Sequence, residues 1–190
     1  MIIFLDLDGV THHKHFSGEA EMFDDENMDN LEKILDEFPE AEIVLSTYQR
    51  HSEVGRNAIK EGLSEKILDR VVGYTPVLPY PYLGGEGEMP DGLVEMEAQL
   101  WLKENDMEDS PWIAINDREN LFFENAPLYV TDGEKGLVEI DVAPIIELIK
   151  QEQQRPIEEI HAQKELSDAE FKERYRMQIF EGQEFSAPEF

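Results

Sequence analysis

The chain opens Met1-Ile2-Ile3-Phe4-Leu5-Asp6-Leu7-Asp8-Gly9-Val10. An apolar run ends in two carboxylates one residue apart, followed at once by glycine. A run that is apolar at every position reads as a strand covered on both faces, as in a parallel sheet. Buried charge is costly unless it is paired, hydrogen-bonded or bound to metal. The two aspartates therefore mark either a site at the end of a central strand or an acidic turn. The remaining sequence decides between these.

Helical spacing recurs in Met28, Leu31, Ile34, Leu35 and Phe38, after the acidic start Asp24-Asp25-Glu26 that suits a helix N-terminus. Residues 41–45 form a second apolar run, ending at Ser46-Thr47. Ser52 can cap the next helix, with Val54, Ala58 and Ile59 inward and Gly62 near its end. Residues 71–75 read as a short strand. The stretch that follows, TPVLPYPYLGGEGEMPDG, is too rich in Pro and Gly for a regular element. Residues 93–103 read as a helix, 112–115 as a strand ending at Asn116-Asp117, 128–131 as a strand and 142–150 as a helix. Met28, Met96 and Trp101 sit at core spacing.

Strands alternating with helices predict a Rossmann-like α/β fold with a mainly parallel sheet covered on both faces. In such sheets ligands bind beyond the carboxyl ends of the strands. Three predicted strands end in residues able to do chemistry: Asp6 and Asp8, Ser46 and Thr47, Asn116 and Asp117. That convergence favours a site over an acidic turn. Residues 1–150 form the predicted domain, and residues 151–190 a helical, acidic extension. There Ser167-Asp168-Ala169-Glu170 has the form of a capping box. Phe171, Tyr175 and Ile179 then share a helical face, a candidate surface for a protein partner or for self-association.

Composition narrows the class. A 41% hydrophobic fraction over 190 residues supplies a core, and the lack of cysteine excludes disulfides, thiolate metal sites and a thiol nucleophile. No stretch approaches the ~20 apolar residues of a membrane helix, and the first apolar run is too short for a signal peptide. A soluble cytoplasmic protein with no membrane partner is expected. With 44 acidic against 16 basic residues the net charge is −28, which repels polyanions. An extended duplex is thereby excluded as a partner, whereas a single terminal phosphate in a local pocket is not.

Asp6 and Asp8, two apart on an extended chain, point the same way. Gly9 allows the tight turn that brings backbone N–H groups to a ligand. Two carboxylates in one crevice repel, and a small divalent cation with oxygen ligands, Mg²⁺, relieves this.

The motifs FLDLDGV, IVLST and IAINDR together resemble the haloacid dehalogenase (HAD) superfamily. The runs LSTYQR and TDGEKGL resemble in particular the HAD domain of Swiss-army-knife RNA repair proteins. The resemblance covers roughly residues 1 to 150. It implies a three-layer HAD fold with a minimal cap, since only about fifteen residues separate Asp8 from the first helix. It also implies a Mg²⁺-dependent phosphohydrolase that acts on a phosphomonoester through an aspartyl-phosphate. Asp6 would be the nucleophile and Asp8 the general acid and base. Ser46 would bond the transferring phosphoryl group, with Thr47 beside it. Asp117 would hold Mg²⁺ together with Asp6 and the backbone carbonyl of Asp8. The substrate would be a phosphorylated small molecule, a nucleotide or a nucleic-acid end.

Two residues depart from that pattern. Asn116 stands where the family often has a first acid, and an amide ligates metal only weakly. No basic residue lies between Arg70 and Lys103, where the family expects a phosphate-holding cation. Arg50 and Arg118 are the candidate substitutes, each able to grip phosphate bidentately. These departures also fit a catalytically weakened HAD-fold binding protein.

Other signals are weaker. His12, His13 and His15 follow the first motif with Lys14, and are placed at the crevice mouth or in solvent. Tyr74, Tyr80 and Tyr82 could overhang the crevice and stack on a base or sugar, or form a packed loop. His51 and His161 read as structural or exposed. The acidic runs at 86–88 and 104–109 read as solvated surface.

Overall fold

The computed structural model describes residues 1–13, 23–78 and 89–175. Five parallel strands, β1 (Ile2–Leu5), β2 (Glu42–Leu45), β3 (Val71–Tyr74), β4 (Trp112–Asn116) and β5 (Leu128–Val130), form one sheet. Their order is β3-β2-β1-β4-β5, the Rossmann-like arrangement expected of alternating strands and helices. The opening run is the central strand, paired on both sides.

Because side chains alternate across a strand, β1 feeds two cores. Ile3 and Leu5 join Ile43, Leu45, Ile113 and Ile115 beneath α1 (Asp25–Glu37) and α5 (Glu139–Gln153). Ile2 and Phe4 point the other way, to Val44, Trp112 and Ala114 beneath α4 (Leu93–Glu104). There Phe4 meets Trp101 and Trp112 edge-on, with ring centroids 6.0 and 5.6 Å apart. Met28, Met96 and Trp101 are buried, as their spacing predicts.

Asp24 caps α1, its carboxylate accepting the N–H groups of Glu26 and Asn27, and Ser52 caps α2 (Glu53–Gly62). The predicted inward face of α2 is corrected. Val54 is 81% exposed, whereas Ile59 is fully buried. An added Cβ at Gly55 would lie 2.1 Å from the Gln49 carbonyl oxygen, so α2 starts in close contact with the preceding 3-10 turn, Tyr48–His51. A short helix α3 (Glu65–Leu68) leads into β3. Tyr74 is fully buried at the end of that strand, which removes it from the crevice rim. Tyr80, Tyr82, Lys14, His15 and the 86–88 acidic run lie outside the described residues.

Among the described residues the C-terminal segment forms one helix, α6 (Ile157–Tyr175), that begins directly after Pro156. The capping box expected at Ser167 is therefore not a helix start. Proline suits the beginning of a helix, and the Pro156 carbonyl already accepts the N–H groups of Glu159 and Ile160. Ser167 lies buried within the helix and donates to Glu95 Oε1 at 2.6 Å. Lys164 pairs with Glu108 at 2.7 Å and His161 with Asp109 at 2.5 Å. The side chains of Phe171, Tyr175 and Ile179 lie outside the described ones. No helix among the described residues is long and apolar enough to cross a membrane.

Glu95 makes α6 docking sensitive to pH. Its carboxyl is fully buried and also accepts the Phe123 N–H at 2.7 Å. Burial pushes its pKa up, aided by the charges of Asp168 and Glu170 and opposed by those two hydrogen bonds. A folded value above the unfolded one gives a contribution fully present below the ordinary glutamate range, and lost as pH rises through the folded value. The Glu95→Gln variant keeps an oxygen for Phe123 and a polar partner for Ser167. Its melting temperature relative to the parent is expected to increase between about pH 4 and pH 8. Parallel melting curves in which the difference does not change with pH would refute the assignment.

Candidate active site

Register sets the first tier of the site. Leu5 pairs with Leu45 on one side and Ile115 on the other, so Asp6, Ser46 and Asn116 stand abreast at the carboxyl edge. This is the switch point, where the connections after β1 and β3 lead to strands on opposite sides of β1, and where ligands bind in open α/β sheets.

Asp6 is buried. Its Oδ1 accepts the Leu7 N–H at 2.8 Å and its Oδ2 accepts Asn116 Nδ2 at 2.9 Å. Burial raises its pKa to about 7, with the Asp8 and Asp117 charges adding to the rise and the Leu7 N–H and Arg50 opposing it. The charges of Asp8 and Asp117 thus both act on the Asp6 carboxylate. Asp117 lies directly against Gly9, where an added Cβ would sit 2.6 Å from the Asp117 Cγ. Gly9 has φ +72°, so glycine suits this turn by conformation as well as by space.

Asp8 is held from two sides. Gln49 Nε2 donates to both carboxylate oxygens, each at 2.9 Å, and His12 Nε2 stands 2.9 Å from Oδ1. His12 is buried, whereas His13 is exposed. Neither Gln49 nor His12 carried a sequence signal strong enough to assign it a role. Their contact with Asp8 depends on the turn after β1 and the 3-10 turn after β2 folding toward each other.

Several expected site residues have other tasks. Arg50, read as a phosphate grip, is buried and faces the protein. Nε donates to the Thr75 carbonyl at 3.1 Å, and one terminal nitrogen donates to the carbonyls of Ser46 at 3.1 Å and Thr47 at 2.6 Å. The other terminal nitrogen pairs with buried Glu97. With four of its five N–H donors so committed, Arg50 braces the carboxyl ends of β2 and β3. Thr47 is fully buried and its hydroxyl donates to Gln49 Oε1. Asn116, read as a weak metal ligand, uses its amide nitrogen on Asp6 and its oxygen on the Arg118 N–H at 2.8 Å. Arg118 itself is half-buried beside Asp117.

The late motif TDGEKGL also has a place. Thr131 donates to the Gly9 carbonyl at 2.7 Å, and the Leu137 N–H bonds to the Val10 carbonyl at 2.8 Å. This loop fastens the turn that carries Asp8 and Gly9.

Among the described residues no three His, Asp or Glu side chains converge as a metal cage. The carboxylates of Asp6 and Asp117, which act on each other electrostatically, are the candidate donor set. Carboxylates are the hard oxygen donors that a divalent cation keeping several waters would take. The Asp8 carboxylate, engaged by Gln49 and His12, lies outside that set.

A parallel 3-2-1-4-5 sheet with aspartates gathered beyond its central strands defines a HAD-type α/β domain. The family model described as the HAD domain in Swiss Army Knife RNA repair proteins matches residues 2–142. The chain belongs to that family, whose general class is the HAD-type phosphohydrolases. No curated protein and no solved structure gives a match.

Proposed function

We propose that this chain is a Mg²⁺-dependent phosphohydrolase that cleaves a phosphomonoester through an aspartyl-phosphate on Asp6. One observation carries the reading: a buried aspartate at the end of the central strand lies close to two further carboxylates at the sheet's switch point. Such crowding is unfavourable without a cation and useful with one.

An Asp6 carboxylate oxygen attacks phosphorus while the bond to the leaving oxygen breaks, and Asp8 gives that oxygen its proton. Asp8 then takes a proton from water as the water oxygen attacks phosphorus. The bond to Asp6 breaks and phosphate leaves. Asp6, Asp117 and the Asp8 backbone oxygen would hold Mg²⁺, whose charge offsets that of the phosphoryl oxygens. Ser46, abreast of Asp6, would bond the phosphoryl group through its hydroxyl. Arg118, beside Asp117, is the cation we assign to phosphate in place of Arg50.

The acidic surface favours a small phosphoester or a nucleic-acid terminus over a long duplex. The test is phosphate release from alkyl and aryl phosphates, nucleoside monophosphates and a short oligonucleotide bearing a terminal phosphate. Release is expected with Mg²⁺, loss of release after EDTA treatment, and recovery on adding Mg²⁺ back. Silence across the whole panel would overturn the reading in favour of a binding domain, the alternative that Asn116 and the missing cation between Arg70 and Lys103 support.

A further inference from the structure

We infer that Gln49 is the positioning residue for Asp8, with His12 as the second donor, and that together they hold the carboxylate in the orientation from which it serves the leaving group. The inference rests on the aspartyl-phosphate reading above.

Carboxylate oxygens only accept, so Gln49 must turn its amide nitrogen toward Asp8, 2.9 Å from each oxygen. Its other end, Oε1, accepts the Thr47 hydroxyl, which fixes the amide against flipping. His12 Nε2 adds a further donor to Oδ1 at 2.9 Å. Oδ1 therefore faces two donors and Oδ2 one. Contacts to both oxygens set the plane of the carboxylate. In that orientation Asp8 gives its proton to the leaving oxygen as the phosphorus–oxygen bond breaks.

Gln49 also sits on a firm support. Its carbonyl accepts the Ser52 N–H at 3.4 Å and is closely approached by Gly55, so the turn is held against the start of α2. Thr47 then acts through Gln49, which accounts for a fully buried hydroxyl so close to a phosphoester site.

The experiment compares kcat/KM for an alkyl phosphate and for 2,4-dinitrophenyl phosphate in the parent and in Gln49→Met, with Mg²⁺ present. Methionine fills a similar volume without donating. An alkoxide needs its proton to depart, whereas dinitrophenolate does not. The alkyl substrate is therefore expected to lose about 10–100-fold, and the activated one less than about 3-fold. The ratio of the two is independent of the fraction of protein folded. Equal losses on both substrates would overturn the inference. Where Q49M yields no soluble protein, His12→Asn is expected to give the same split, and equal losses there overturn it likewise.

A crystal structure of Q49M supplies a readout without turnover. The Asp8 carboxylate is expected to rotate away from its present position, and an unmoved carboxylate would overturn the inference. A parent that hydrolyses neither ester defeats the aspartyl-phosphate reading, while the crystallographic comparison still decides whether Gln49 sets Asp8.

Discussion

Asp6→Asn is expected to release no phosphate above background, a loss on the order of 10³-fold or more, while melting above the parent in metal-free buffer at pH 8. The first effect follows from removing the oxygen that would bond to phosphorus. The second follows from the crowding of Asp6 by burial and by Asp8 and Asp117. A rise of its pKa to about 7 corresponds to on the order of 4 kcal/mol against the ionised form. Asparagine would misplace one donor against Leu7 or Asn116, at about 1–3 kcal/mol. The relief therefore exceeds the loss where Asp6 is ionised.

The sign fixes the pH window. The folded value lies above the unfolded one, so this group's contribution is lost as pH rises through about 7. The variant's advantage is expected at pH 8 and should vanish near pH 5, where Asp6 carries its proton. Melting curves at both values, with and without Mg²⁺, check this. Added Mg²⁺ should stabilise the parent more than the variant, because binding to the folded state alone raises stability. Full activity in D6N would refute the nucleophile assignment, and a variant less stable than the parent at pH 8 would refute the crowding.

Glu97→Ala is expected to give the largest loss of stability. Glu97 is buried, pairs with buried Arg50 and accepts the Leu78 N–H at 3.0 Å. Burial raises its carboxyl pKa and the Arg50 guanidinium pulls it back down. Truncation leaves a guanidinium buried among three carbonyls without a counter-charge, and leaves an amide without its acceptor. Breaking such a pair costs about 3–5 kcal/mol, a melting temperature lower by about 6–20 °C for a chain of this size. Because Arg50 ties the Ser46 and Thr47 carbonyls to Thr75, turnover should fall as well. A Tm within about 2 °C of the parent would show that Arg50 is oriented by the carbonyls alone.

Arg50 also illustrates the limit of reading the motif by itself. A cation one short turn beyond a phosphate-site strand invites a phosphate role, and sequence offers no reason to prefer another. Its partner Glu97 lies on a distant helix, α4, and nothing in the local sequence singles that glutamate out. Val54 and Ser167 fail similarly. Helical spacing alone does not say which face a neighbouring turn will cover, and a capping pattern can fall within a helix that starts earlier at a proline.

The mainly parallel sheet, the burial of the opening strand and the position of Asp6, Asp8, Ser46, Asn116 and Asp117 at the carboxyl ends of their strands were legible in the residues alone. Strand period and parallel pairing transmit register directly, so residues that follow equivalent strand positions come abreast. The groups that hold these residues in place emerge from the folded packing: Gln49 and His12 on Asp8, Asn116 on Asp6, Thr131 on Gly9, and Glu97 on Arg50. Those contacts join separate turns and helices, and depend on how the layers pack.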